Sequence, residues 1–158
     1  MFYTVIQTRP INTLASRQLS IIQKCINEAE KSDFNDNRRL SACVIMKNKK
    51  YFGSNMRRTR FEGKNVFSVH AEVQTVNNVL RSIFGKGVNS CDDTLNGTLY
   101  VIRILRNKDN MDKCRTHKLG ISKPCINCQI ELYKRNIGTV YYTDVIDNIE
   151  VLVKMKKI

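Results

Sequence analysis

The sequence lacks the features that mark membrane-spanning and secreted chains. Its longest uncharged apolar stretches are only a few residues, such as Ala42 to Met46, whereas a membrane-spanning helix needs roughly 20. The segment from Met1 to Ile6 has no basic region, no long apolar core and no small-residue cleavage site, so it does not resemble a secretory signal. We therefore expect a cytoplasmic protein that has no membrane partner.

Proline and glycine are also scarce, with two and seven residues, respectively. The sequence has no Pro/Gly/Ser-rich linker, no internal repeat and no low-complexity tract. Because 158 residues are a suitable length for one compact domain, we expect a single domain over residues 1–158. A core of that size needs no disulfides, and the six cysteines of a cytoplasmic chain are expected to be thiols or metal ligands.

Acidic residues are few in comparison with basic ones. The chain has 27 Lys and Arg residues against 14 Asp and Glu residues, a net charge of +13. This charge indicates an anionic partner, which is either a nucleotide phosphate or a nucleic acid. The alternative is a basic but simply solvated surface, since Lys, Asn and Ile are all abundant, as a biased genome would produce.

Hydrophobic spacing predicts helices that alternate with strands. Helical periodicity covers about Thr13–Lys31, His70 to just before Gly85, and Cys125–Asn136. Short apolar or branched runs predict five strands at Leu40–Lys47, Tyr51–Asn55, Thr98–Leu105, Thr139–Thr143 and Ile149–Val153. Arg106 to Lys123 is predicted to be a long loop. The order indicates a layered α/β domain with a mixed sheet, and the short turn at Asp147–Asn148 requires the last two strands to be antiparallel.

Two short motifs carry metal-binding and proton-transferring side chains. The first, His70-Ala71-Glu72, opens the second predicted helix, and the second, Pro124-Cys125-Ile126-Asn127-Cys128, opens the third. Cys125 and Cys128 are three residues apart and share a helix face. One imidazole and two thiolates give three protein ligands, which leaves a fourth zinc position for water, as in catalytic sites. Glu72 is a poor candidate for a fourth ligand, and its expected role is proton transfer.

The two motifs in this order are specific, although each alone is weak. A His-x-Glu motif followed by Pro-Cys-x-x-Cys resembles the cytidine deaminase-like superfamily, which includes zinc-dependent cytidine and deoxycytidylate deaminases. The resemblance runs from about Leu14 to Val153. It implies a three-layer α/β/α fold, with helices on both faces of a mixed five-stranded sheet whose last two strands are antiparallel.

The resemblance also implies a reaction. Zn²⁺ bound by His70, Cys125 and Cys128 would activate water, while Glu72 would move the protons and the Ala71 backbone would contact the base. The implied activity is hydrolytic deamination of a cytosine nucleoside or nucleotide to the uracil form, with release of ammonia. Similar proteins commonly form dimers or tetramers, so a homo-oligomer is expected.

Two alternatives stay open. The basic charge favours a polynucleotide deaminase that acts on tRNA adenosine or single-stranded cytosine, and His70 in place of a cysteine resembles the deoxycytidylate and tRNA branch. The antiparallel last strands instead resemble the free-nucleoside deaminases, and Gln129 replaces the small residue that many relatives have after the second cysteine. A catalytically inactive binding subunit is the other alternative, which the retention of Glu72 disfavours.

Further residues are candidates for substrate binding. Asn55, near the end of the second predicted strand, resembles an asparagine that holds the sugar or base edge in relatives; the alternative is a turn residue. Arg57, Arg58 and Arg60 precede His70 and would bind a phosphate or a nucleic-acid backbone, unless they form a solvated face. Cys114 and His117 have the spacing of a second metal site, but a free thiol and a surface histidine are the favoured interpretation.

Overall fold

The computed structural model describes residues 2–34, 37–57, 60–62, 64–65, 69–106 and 117–158. Its strands are β1 Tyr3–Pro10, β2 Arg39–Met46, β3 Lys49–Ser54, β4 Arg60–Phe61, β5 Lys64–Asn65, β6 Thr98–Arg106, β7 His117–Gly120, β8 Thr139–Ile146 and β9 Ile149–Lys157. Its α-helices are α1 Ser16–Ala29, α2 Ala71–Phe84 and α3 Ile126–Lys134. In the part of the chain that is described, no helix is long and apolar enough to span a bilayer.

Seven of these strands form one mixed sheet, in the order β1-β9-β8-β6-β2-β3, with β7 paired to β6. Strand β8 runs parallel to the first part of β6, while β7 pairs antiparallel with its second part, from Arg103 to Arg106. The carboxyl ends of β6 and β8 therefore point to the same edge of the sheet. Ligands of open α/β sheets commonly bind at such an edge.

The sheet has seven strands, so the prediction of five strands is wrong. Strand β1 was missed because most of its side chains are exposed, and it forms by antiparallel pairing with β9. Strand β7 lies within the segment that was predicted to be a loop. The antiparallel arrangement of the last two strands is confirmed by the β8–β9 register, from Thr139 opposite Lys156 to Ile146 opposite Ile149.

Helices cover both faces of the sheet, as predicted. On β2, Ala42 and Val44 face one apolar cluster, which includes Val76 and Leu80 of α2. Cys43 lies between them in sequence and faces the other cluster, which includes the apolar side of α1. Because successive side chains of a strand point to opposite faces, α1 and α2 must lie on opposite sides. The result is three layers.

Two glycines set the position of α2. Gly85 has a φ of +72° and closes the helix by donating its N–H to the Arg81 carbonyl. On β3, a Cβ at Gly53 would lie 2.6 Å from Thr75 Oγ1 and 3.0 Å from the Thr75 backbone nitrogen. The first turns of α2 therefore pack directly on the end of β3, which places the start of α2 at the edge of the sheet.

Candidate active site

His70 is positioned by the segment that enters α2. It is the N-cap residue of the helix, and its carbonyl accepts the Gln74 N–H at 2.9 Å. The preceding residue, Val69, forms an antiparallel bridge with Met56, in which both N–H···O bonds measure 2.9 Å. The residue two positions after β3, Met56, and the residue before His70, Val69, therefore lie side by side at the edge of the sheet.

Cys125 and Cys128 are positioned in the same way at the start of α3. Cys125 is the N-cap residue, and its carbonyl accepts the Gln129 N–H at 2.9 Å. The Gln129 side chain donates from Nε2 to the Pro124 carbonyl at 2.9 Å, so this residue braces the helix start. Cys128 lies in the first turn and faces inward.

Ser122 fixes the segment that leads to the cysteines. Its hydroxyl lies 2.7 Å from the Val101 carbonyl of β6 and accepts the Thr143 N–H of β8 at 2.7 Å. Both hydrogen bonds join the segment to neighbouring parallel strands. The start of α3 is therefore anchored to the same sheet edge as the start of α2.

The three predicted metal ligands converge, and we call His70, Cys125 and Cys128 the metal cluster. His70 Nδ1 lies 3.3 Å from Cys128 Sγ and 3.6 Å from Cys125 Sγ, and the three ligand atoms lie within 4.8 Å of one another. Tetrahedral zinc with ordinary Zn–S and Zn–N lengths requires separations of about 3.5 Å. The donor set and its spacing fit a zinc ion, and no fourth His, Cys, Asp or Glu joins the cluster among the described residues.

Glu72 lies beside the cluster, buried at 4% exposure in the first turn of α2. Burial raises the pKa of its carboxyl group, while hydrogen bonds from its own N–H and from Cys128, together with the charge of His70, partly oppose that rise. Burial also raises the pKa of the Cys128 thiol, and the nearby Glu72 and Cys125 raise it further. The Glu72 carboxyl group and the thiols of Cys125 and Cys128 thus lie close together. A cation bound among them would stabilise their ionised forms.

A cavity of about 650 Å³ opens over the metal cluster, within the range of small-molecule sites. Its lining residues are Phe34, Arg38, Leu40, Asn55, Arg57, His70, Ala71, Glu72, Arg103, Ile121, Ser122, Lys123 and Cys125. His70 and Cys125 are exposed to it while Cys128 is buried beneath them. The open side of the cluster therefore faces a space that could hold a substrate.

Asn55 lines this cavity, but most of its side-chain hydrogen-bonding capacity is used within the protein. Its Oδ1 accepts the Leu40 N–H at 2.9 Å and the Ser32 hydroxyl at 2.8 Å. Its Nδ2 donates to the Arg38 carbonyl at 2.6 Å. Asn55 therefore joins the end of β3 to the segment that enters β2, and its contact with a substrate stays a prediction.

The other predicted binding residues differ in what the structure describes. Ala71 lines the cavity at the start of α2 and is buried. Arg57 also lines it, with an exposed side chain and a backbone N–H that donates to Asp33 Oδ1 at 2.8 Å. Arg58 lies outside the described residues, as does the side chain of Arg60, whose backbone belongs to β4. Cys114 and the side chain of His117 are likewise outside them.

Sequence reasoning missed several cavity residues, namely Phe34, Arg38, Arg103 and Ser122. Arg103 had a local signal, because it is a charged residue within the apolar run of β6. Phe34 and Arg38 had none, since they follow α1 and lie near the motifs only in the folded chain.

Comparison with protein-family models and with curated proteins gives no match. The fold is similar to that of a cytidine deaminase from Burkholderia pseudomallei, with a TM-score of 0.53 and 13% sequence identity. The similarity covers 87% of this chain and 91% of that one. At this identity the likeness shows the fold alone. The chain therefore has a fold similar to that of this cytidine deaminase, and it carries a His/Cys/Cys cluster that could hold a metal ion.

Proposed function

We propose that this protein is a zinc-dependent hydrolytic deaminase of a cytosine nucleoside or nucleotide. The observation that carries the proposal is the convergence of His70 Nδ1 on two thiols that are 55 and 58 residues away, with a buried carboxyl group beside them. A fold similar to that of a cytidine deaminase supports it. Metal, proton carrier and substrate cavity then occupy one edge of the sheet.

A zinc ion bound by His70, Cys125 and Cys128 would act as a Lewis acid that lowers the pKa of water to near neutrality. Glu72 performs the proton transfers, because its buried carboxyl group, with its raised pKa, can both accept and return a proton. It takes a proton from the attacking water and delivers protons to the ring nitrogen and the leaving amine. One water is consumed: a C–O bond forms at C4, the bond from C4 to the exocyclic amine nitrogen breaks, and the products are ammonia and the uracil form of the nucleoside or nucleotide.

The test is ammonia release from cytidine, deoxycytidine, CMP and dCMP by the zinc-loaded protein. We expect turnover of at least one of these substrates, and its loss in the Glu72→Gln variant, which keeps the shape of the side chain but cannot carry the proton. A folded, zinc-loaded protein that turns over none of the four would contradict the proposal.

A polynucleotide deaminase is the second candidate, and the net charge of +13 favours it. Turnover of tRNA or single-stranded DNA, with binding that weakens steeply as salt is raised, would support this candidate. A non-enzymatic binding subunit is the third, and a Glu72→Ala variant that retains the full biological role would support it. We also propose a cytoplasmic homo-oligomer, which light scattering would test as a dimer or tetramer.

A further inference from the structure

The cavity carries a strong local excess of positive charge. We call Phe34, Arg38, Arg57, Arg103 and Lys123, all of which line it, the cationic wall. Among the described residues, Glu72 is the only acidic side chain in the lining, and it lies beside the metal cluster. An anionic ligand in this concave space would be attracted by all four cationic side chains.

Two of these cations are held against one aromatic ring. The guanidinium carbon of Arg38 lies 5.3 Å from the centroid of the Phe34 ring, and that of Arg57 lies 5.9 Å from it. These distances are those of cation–π contacts. Arg38 and Arg57 come from segments 19 positions apart in sequence, so Phe34 brings two fork-shaped donors together at one side of the cavity.

The backbone around the wall is fixed by hydrogen bonds across segments. The Asn55 side chain bonds to the carbonyl of Arg38 and to the N–H of Leu40. Arg103 donates from Nε to the Asn37 carbonyl at 2.6 Å. The backbone at Arg38 and the Arg103 side chain are therefore held before any ligand binds, which lowers the entropic cost of binding.

We propose, on the basis of the function proposed above, that the cationic wall is a phosphate subsite and that the substrate is a nucleoside monophosphate. Guanidinium groups bind phosphate through paired, charge-assisted hydrogen bonds. The wall and the metal cluster line the same cavity, so one small molecule can place its base at Glu72 and its phosphate at the arginines. A free nucleoside has no phosphate to place at the arginines.

The experiment compares kcat/KM for dCMP and CMP with that for deoxycytidine and cytidine, at 0.15 M salt. For the wild type we expect the nucleotides to be preferred by about 100-fold, as charged hydrogen bonds to two arginines imply. Arg38→Ala and Arg57→Ala should each lower this preference by about tenfold or more. Lys156→Ala, which removes an exposed cation of β9 away from the cavity, should leave it unchanged.

Three outcomes separate this inference from the proposed function. Turnover with equal kcat/KM for nucleotide and nucleoside overturns the phosphate subsite and leaves the deaminase. Higher kcat/KM for a short oligonucleotide than for the monophosphate assigns the wall to a polynucleotide backbone and also overturns it. If nothing is turned over, the proposed function fails, and calorimetry decides the subsite alone: dCMP must bind at least tenfold more tightly than deoxycytidine and lose that advantage in Arg57→Ala.

Discussion

The metal cluster and the cationic wall line one cavity but are built in different ways. The cluster and the neighbouring Glu72 come from two helix starts: His70 and Glu72 are two residues apart at one, and Cys125 and Cys128 are three apart at the other. The wall comes from segments that are joined by long-range contacts, chiefly those of Asn55 and Phe34. The side chains proposed for chemistry are therefore spaced by local motifs, whereas those proposed for phosphate binding are brought together by tertiary contacts alone.

The largest effect is expected for Glu72→Gln, which should change catalysis without changing metal binding. Loss of the general acid–base group should lower kcat by about 10³-fold, because positioned proton transfer contributes roughly 10²–10⁴-fold. Zinc content should remain that of the wild type, since Glu72 does not belong to the metal cluster. Steady-state kinetics and metal analysis of the same preparation measure both.

Glu28→Gln is the matched control for this variant. Glu28 lies on α1, where it pairs with Lys31 at 3.0 Å, and it does not line the cavity. Its kcat should stay within about twofold of the wild type, as expected for a surface substitution. A Glu72→Gln variant that is as active as Glu28→Gln would remove Glu72 from the mechanism.

Cys128→Ser tests whether the metal cluster binds one ion as a unit. Loss of this buried thiol should lower zinc affinity by at least about 100-fold. Even residues that only hydrogen-bond to a metal ligand typically lower metal affinity by about 10–100-fold when they are mutated. Competition with a chelator measures the affinity. Cys91→Ser is the control, since Cys91 is buried and bonds to Asp93 Oδ2, which a serine hydroxyl can also do. Equal zinc affinities of the two variants would refute the predicted ligand set.

Local construction explains why the metal cluster could be predicted from the sequence. His70, Glu72, Cys125 and Cys128 each occupy the first turn or the N-cap of a helix, and both helices are marked by apolar periodicity and, at α2, by Gly85. The helix bounds differ from the predicted ones by only a few residues. The motif spacing does not predict that the starts of α2 and α3 lie close together. That proximity depends on the hydrogen bonds of Ser122 and on the close contact between Gly53 and Thr75.

The missed strands and the cationic wall share a different cause. Strand β1 is formed by pairing with β9, which lies at the other end of the chain, and most of its side chains are exposed. Phe34 and Arg38 follow α1 without a recognisable motif, and contacts with Asn55 and Arg57, distant in sequence, hold them at the cavity. These contacts join residues that are far apart in sequence, so no local sequence pattern predicts them.

Asn55→Ala tests the tertiary construction of the cationic wall. It removes hydrogen bonds to Ser32, Arg38 and Leu40, so the free energy of unfolding should fall by about 2–4 kcal/mol. Asn27→Ala on the exposed side of α1 is the control and should change it by less than about 0.5 kcal/mol. Urea unfolding measures both. Equal stabilities would mean that Asn55 does not hold the wall and is free for a direct substrate role.

The smallest effect is expected at the segment that connects the two regions, where Glu62 lies between Arg57 and His70. Its carboxylate accepts from Arg81 Nη2 at 2.6 Å and from Asn77 Nδ2 at 3.0 Å, which joins Glu62 to α2. The hydrogen bond from Arg81, supported by that from Asn77, lowers the pKa of Glu62. Glu62→Gln should therefore reduce the free energy of unfolding by about 1 kcal/mol or less at pH 7.

The pH dependence of that difference follows from the lowered pKa. A carboxyl group with a lowered folded-state pKa stabilises the protein fully above its unfolded pKa, about 4.3 for glutamate, and loses that contribution as pH falls through the folded value. The wild type should therefore exceed Glu62→Gln in stability at pH 7, and the gap should close below about pH 4. A gap that does not begin to narrow as the pH falls below about 4 would show that the shape of Glu62, rather than its charge, contributes this stability.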